Sequence, residues 1–210
     1  MNNGSVLSSR DRILFSAKHL FARNGYENTS TVAIARQAGT SESQLMKHFG
    51  SKQGLLFAIF DHGWTRIAER VREARNGSGS PIDHLFGVLE ALVIELERDP
   101  EMQDLMMLEA RRVRKDNTDV SLSHGYLNLG ATLDDILADL RNEGLLPPEI
   151  NIKALRAACL GMAEGMIFDQ VVAKRSGSHL QYNHDDIKRV LETMLSALAA
   201  NHTEAMRSIS

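Results

Sequence analysis

Apolar residues recur at helical spacing along most of the chain. Ile13, Leu14, Ala17, Leu20 and Phe21 fall at i, i+1, i+4, i+7 and i+8, which makes one stripe of an amphipathic helix. Ser8 or Ser9 can cap its start, and Gly25 is placed to end it. A second helix runs through Ala38, capped by Thr29, Ser30 or Thr31. It partly buries Val32, Ile34, Ala35 and Ala38 and is ended by Gly39. Ser41 then caps a third helix, with Gln44 three residues on in a Ser-x-x-Gln capping box. Leu45 and Phe49, four residues apart, share one face of it. Ser51 caps a fourth helix that reaches about Arg75, where "NGSGSP" at residues 76–81 breaks the pattern.

Beyond that break the helical period continues. Segments are expected at 81–98, from about 102 into "ARRVRKDN", at 124–142, at about 152–174 and at 185–202. The last carries a continuous stripe of Ile187, Val190, Leu191, Met194, Leu195 and Leu198. β-Branched residues sit singly inside helical patterns, so the expected class is all-α.

Two helices joined by a tight glycine turn, at about residues 31–50, form a helix-turn-helix. The second helix of that pair leaves Glu42, Ser43, Met46, Lys47 and His48 to solvent or a partner. A major groove about 12 Å wide accepts one helix, whose N-terminal residues reach base edges. Lys47 suits guanine O6/N7 and Glu42 suits cytosine N4, with Ser43 beside them. Thr31 and Thr40 stand at helix entrances, where hydroxyls and free N–H groups meet phosphate or serve as caps. Ser41 and Gln44 belong to the same entrance, Gln44 being partly engaged by the capping box. Lys52, in the first turn of the fourth helix, suits a phosphate.

Charge sharpens this reading. The chain has a formal net charge of −3, yet residues 1–52 hold seven Lys/Arg against three acids, and the remainder 17 against 24. A basic head on an acidic body fits a nucleic-acid contact at the N-terminal end. With 43% hydrophobic residues, the 210-residue chain has material for a proper core. A single cysteine, Cys159, excludes an internal disulfide. "MNNGSVLSSR" has no apolar signal-peptide core and no run of about 18 apolar residues exists, so a cytoplasmic protein with no membrane span is expected. His179, His184 and Asp185 in "SGSHLQYNHDD" lack a third well-spaced ligand, so no metal is expected. "GYLNLG" at 125–130 is not followed by Lys-Ser/Thr, and no nucleophile motif occurs. Neither an enzyme nor a cofactor is expected.

Residues 13–60, with "LFARNGYENTS", "IARQAG" and "LMKHFGSKQGLL", resemble the DNA-binding domain of the tetracycline-repressor (TetR) family. "NEGLLPP" at 142–148 adds a weaker likeness in the remainder. The resemblance implies an N-terminal helix-turn-helix domain at 8–60, joined by the long fourth helix to a helical effector-binding and dimerisation domain at 61–210. It implies that His48 contacts phosphate. It also implies a missing hydroxyl contact, because Met46 stands where the family usually has Tyr.

Its further implications concern partners. A palindromic double-stranded DNA operator, an unknown small-molecule effector and a second copy of the chain are expected. Phe60, Trp64, Met102, Met106, Met107, Met162 and Met166 fall on helices that surround the family's ligand cavity, although methionine in a helix also simply fills cores. Ala158, Gly161 and Gly165, with Val190, Met194 and Leu198, fall on the two helices that pair in the family's dimer. Glycine inside a helix costs roughly 1 kcal/mol relative to Ala, which close approach of another helix would justify, across a two-fold axis or within one chain. The function implied is a ligand-responsive dimeric regulator, most simply a repressor. The alternative is a helical small-molecule-binding protein without DNA-binding activity.

Overall fold

The computed structural model describes residues 7–109 and 123–178, with isolated positions between 182 and 197. Eight helices are assigned among them and no strand. They are α1 (Ser9–Asn24), α2 (Thr31–Gln37), α3 (Glu42–Phe49), α4 (Lys52–Arg75), α5 (Pro81–Glu97), α6 (Pro100–Glu109), α7 (His124–Asn142) and α8 (Ile152–Ser176). The helix expected at 185–202 is represented only by those isolated positions, and the expected extension of α6 into "ARRVRKDN" lies outside the described residues.

The chain divides into two compact units. The first contains α1, α2, α3, the part of α4 up to Trp64, and α6. The second contains the rest of α4 from Thr65, with α5, α7 and α8. Compactness therefore groups α6 with the helix-turn-helix, whereas a cut after residue 60 groups it with the C-terminal helices.

The first unit is built as its apolar stripes dictate. Ile13, Leu14, Ala17 and Phe21 of α1 are buried together with Ile34 and Ala35 of α2, Leu45 of α3, and Leu55 and Ile59 of α4. Each Ile, Leu or Phe among these contributes about 1.5–3 kcal/mol relative to exposure. Val32 is the exception, at 58% exposure. The core line of α2 is Ile34, Ala35 and Ala38, at i, i+1 and i+4, and Val32 lies off it, so the expected partial burial of Val32 is corrected. Thr29 is buried, with its hydroxyl donating to the carbonyls of Leu20 at 3.2 Å and Gly25 at 2.9 Å, which removes the cost of hiding it.

Helix α6 joins α1 through an ion pair and a histidine–carboxylate hydrogen bond. Lys18 Nζ lies 2.7 and 2.8 Å from the two carboxylate oxygens of Asp99, and His19 Nδ1 lies 2.7 Å from Glu101. Asp99 also accepts the Met102 N–H at 3.1 Å, so one carboxylate caps α6 and holds it to α1. Met102 is buried and fills a notch at Gly63 of α4. A Cβ at Gly63 would sit 2.5 Å from its terminal methyl and 2.9 Å from its sulfur.

In the second unit α7 packs on α5 and α8. Leu85, Val88, Leu89 and Leu92 of α5 are buried with Leu133, Ile136 and Leu137 of α7, and with Cys159, Ala163 and Ile167 of α8. Ser80 and Asp83 close a full capping box on α5, and the hydrogen bonds from Ser80 hold the Asp83 carboxyl below its ordinary range. Glu95 is a buried charge in this unit. It accepts from Arg66 Nη2 at 3.1 Å and Arg98 Nη1 at 3.0 Å, with Arg70 Nε at 3.5 Å. Burial also pushes the Cys159 thiol up to about 11.

Candidate nucleic-acid interface

The helix-turn-helix is shaped by caps. Ser30 caps α2, its hydroxyl accepting the Ala33 N–H at 3.2 Å. After Ala38 the chain turns at Gly39, whose φ of +63° suits glycine, and Thr40 N–H returns to the Ala35 carbonyl at 3.0 Å. Ser41 caps α3 by accepting the Gln44 N–H at 3.2 Å, and Ser51 caps α4 by accepting the Gly54 N–H at 2.9 Å. Arg12 of α1 steadies the turn from behind, with Nε donating to the Ala38 carbonyl at 3.1 Å.

The reciprocal half of the Ser41–Gln44 capping box is not made. The Gln44 carbonyl oxygen instead accepts from the Thr40 hydroxyl and, at 3.3 Å, from Ser9 of α1. That hydroxyl pair outcompetes the Ser41 backbone N–H. Likewise the Thr31 hydroxyl donates to the Glu42 carboxylate. Thr31 and Glu42, and Thr40 and Gln44, are thus paired within the protein. Ser41 is exposed and spent as a cap.

What α3 presents outward is Ser43, Met46, Lys47 and His48, all exposed, while Leu45 is buried behind them. Phe49 is half-buried rather than fully in the core, with the Arg10 guanidinium 5.3 Å from its ring centroid. The His48 ring neighbours the Phe49 ring, centroids 6.1 Å apart. Lys52 lies over the Tyr26 ring, Nζ 4.3 Å from the centroid, and 3.4 Å from the Glu27 carbonyl oxygen. A cation held on an aromatic face at the start of a helix is oriented for an anion. Ser9, Arg12 and Tyr26 are supporting residues that the sequence reading missed. Their partners here lie 26–35 positions away, and no local spacing marks them.

Residues 13–59 match the family described as bacterial regulatory proteins, tetR family. The chain therefore resembles the TetR family over this segment. It is 24% identical over 163 residues to the transcriptional regulator UidR of Escherichia coli K12, covering 77% of this chain and 81% of that one. It is 26% identical over 165 residues to the transcriptional repressor AcnR of Corynebacterium efficiens, covering 77% and 81%. Its fold matches the crystal structure of the regulator FadR from Bacillus subtilis in complex with stearoyl-CoA, with a TM-score of 0.75 at 19% identity, covering 89% of this chain and 97% of that one. Both UidR and AcnR are named as transcriptional regulators, AcnR as a repressor.

The other expected site residues are distributed as follows. Trp64, Met102 and Met106 are buried in the first unit and Phe60 is half-buried there. Met162 and Met166 are half-buried on α8 in the second. The Met107 side chain and Leu198 lie outside the described residues. Ala158, Gly161 and Gly165 are exposed along α8, as are Val190 at 44% and Met194 at 52%. A Cβ at Gly161 or Gly165 would meet no atom within 4 Å, so no close crossing within the described chain accounts for these glycines. No group of three metal-ligating side chains occurs among the described residues, and His179 and His184 lie outside them. No helix among the described residues is long and apolar enough to cross a membrane.

Proposed function

We propose that this chain is a TetR-family regulator that acts as a cytoplasmic homodimer on a palindromic operator and is released from it by a small molecule. The observation that carries the reading is the outward face of α3. Ser43, Met46, Lys47 and His48 are exposed on a capped helix that follows a glycine turn. In this reading α3 enters the major groove, Lys47 and Ser43 address bases, and His48 and Lys52 hold phosphate. Thr31, Thr40, Ser41, Glu42 and Gln44 shape the helix entrances. Residues 8–60 form the DNA-binding domain and 61–210 the effector and dimer domain. The second copy packs against Ala158, Gly161 and Gly165 of α8, with Val190, Met194 and Leu198.

Helix α4 belongs to both compact units and, at 24 residues, is about 36 Å long. A ligand that reorients it changes the spacing of two recognition helices, which must match successive major grooves about 34–36 Å apart. The effector is a small molecule, with candidate contacts within each unit: Phe60, Trp64, Met102, Met106 and Met107 in the first, Met162 and Met166 in the second. Stearoyl-CoA, present in the FadR structure, is the first compound to test. Selection of bound fragments from genomic DNA, followed by titration at several salt concentrations, tests the reading. Failure to enrich any fragment would overturn it.

A further inference from the structure

We infer that Met46 is a base-reading residue of α3, whose side chain packs on the C5-methyl of a thymine in the major groove. The inference rests on the DNA-binding reading above. Met46 is 42% exposed, while Leu45, about 100° round the helix from it, is buried. Ser43, Met46 and Lys47 stand at i, i+3 and i+4 and form one outward stripe.

The polar neighbours on α3 are already engaged. Glu42 accepts from Thr31, and Gln44 accepts from Thr40 and Ser9. No protein partner holds Ser43 or Lys47 among the described residues. The stripe therefore offers two hydrogen-bonding groups with a thioether between them. A thioether donates no hydrogen bond and accepts only weakly, so it gains little from phosphate or from the polar base edges. The apolar feature of the major-groove floor is the thymine methyl. Methionine's flexible, polarisable chain suits such a contact. A side chain left exposed without DNA, and apolar on the groove-facing stripe, is thus paired by chemistry with thymine.

The operator is first selected from genomic fragments. If none is enriched, the DNA-binding reading itself fails and the failure is recognised there. With an operator in hand, each thymine of a half-site is replaced in turn by deoxyuridine, which lacks only the methyl. Wild-type protein should lose about three- to five-fold in affinity per half-site at one position, the value of one buried methyl. Met46→Ala should bind the unmodified operator more weakly by at least that factor and be insensitive to the replacement. Met46→Leu should keep the sensitivity. Because Met46 is exposed, both variants should show an unchanged melting temperature. A flat deoxyuridine scan overturns the inference, as does a Met46→Ala protein that keeps the wild-type sensitivity.

Discussion

The ammonium of Lys52 stands 4.3 Å from the centre of the Tyr26 ring, at the first turn of α4. The ring holds the cation in place without neutralising it, which suits a phosphate contact. Lys52→Ala should weaken binding to cognate and scrambled duplexes alike. The slope of log affinity against log salt should fall by about one. Titrations at several salt concentrations measure this, and an unchanged slope removes Lys52 from the phosphate contacts.

Glu95 stabilises the second unit as the shared acceptor of Arg66 and Arg98. Those arginines are about half exposed, so the cost of losing the carboxylate is moderated by solvent. Glu95→Ala should lower stability by about 1–3 kcal/mol, and Glu95→Gln by less. Urea unfolding with an unchanged m-value is the check. A wild-type midpoint in both variants would show that the cluster contributes nothing.

Burial raises the Cys159 thiol to about 11, so the folded state holds its proton through neutral pH. The folded state binds more protons than the unfolded chain between about pH 8.5 and 11, so stability falls as pH rises through that window, by roughly 3 kcal/mol. Below pH 8.5 this contribution is fully present. Alkylation of the native protein at pH 7.5 should be far slower than that of the unfolded chain. Cys159→Ala should flatten the alkaline fall. Rapid native labelling at pH 7.5 would contradict the burial.

Gly161 faces open space within the described chain, so a larger side chain there is sterically harmless to the monomer. Leucine would even add up to about 1 kcal/mol of helix propensity. Gly161→Leu should therefore leave the monomer folded and weaken self-association, with overpacking costing about 1–3 kcal/mol. Sedimentation over a concentration series reads the shift. A fully dimeric variant would place the interface elsewhere.

Trp64, the single tryptophan, is buried near the middle of α4. Its emission should change on titration with a true effector, and stearoyl-CoA is the compound to try first. By linkage, effector affinity should be lower in the presence of operator than in its absence, by the same factor that the effector weakens operator binding. Equal affinities with and without DNA would eliminate the antagonism.

The local frame of the helix-turn-helix was legible in the sequence, because caps and glycine stops act over three or four residues. Ser8, Ser41 and Ser51 each accept the N–H three positions on, and Gly39 takes the positive φ that the turn needs. Contacts made through space were not legible. Lys18 and Asp99 are 81 positions apart, and nothing local couples them. Glu95 reads as a surface charge until Arg66 and Arg98 are seen around it. Val32 and Gln44 show the limit in the other direction. Periodicity tolerates an error of one position, and a capping-box pattern says nothing of the competing hydroxyls of Thr40 and Ser9.

The hydrogen bonds from Thr31 to Glu42 and from Thr40 to Gln44 have a thermodynamic consequence. Immobilising a rotamer-rich side chain at an interface costs about 0.5–1.5 kcal/mol of conformational entropy. In the proposed complex Glu42 and Gln44 would be held before DNA arrives, so that loss would be taken during folding and not during association. The side-chain ordering left for the encounter is concentrated in Ser43, Met46 and Lys47. Calorimetry of Thr31→Val and Thr40→Val proteins would find it as a less favourable binding entropy, on a recognition helix whose sequence is unchanged.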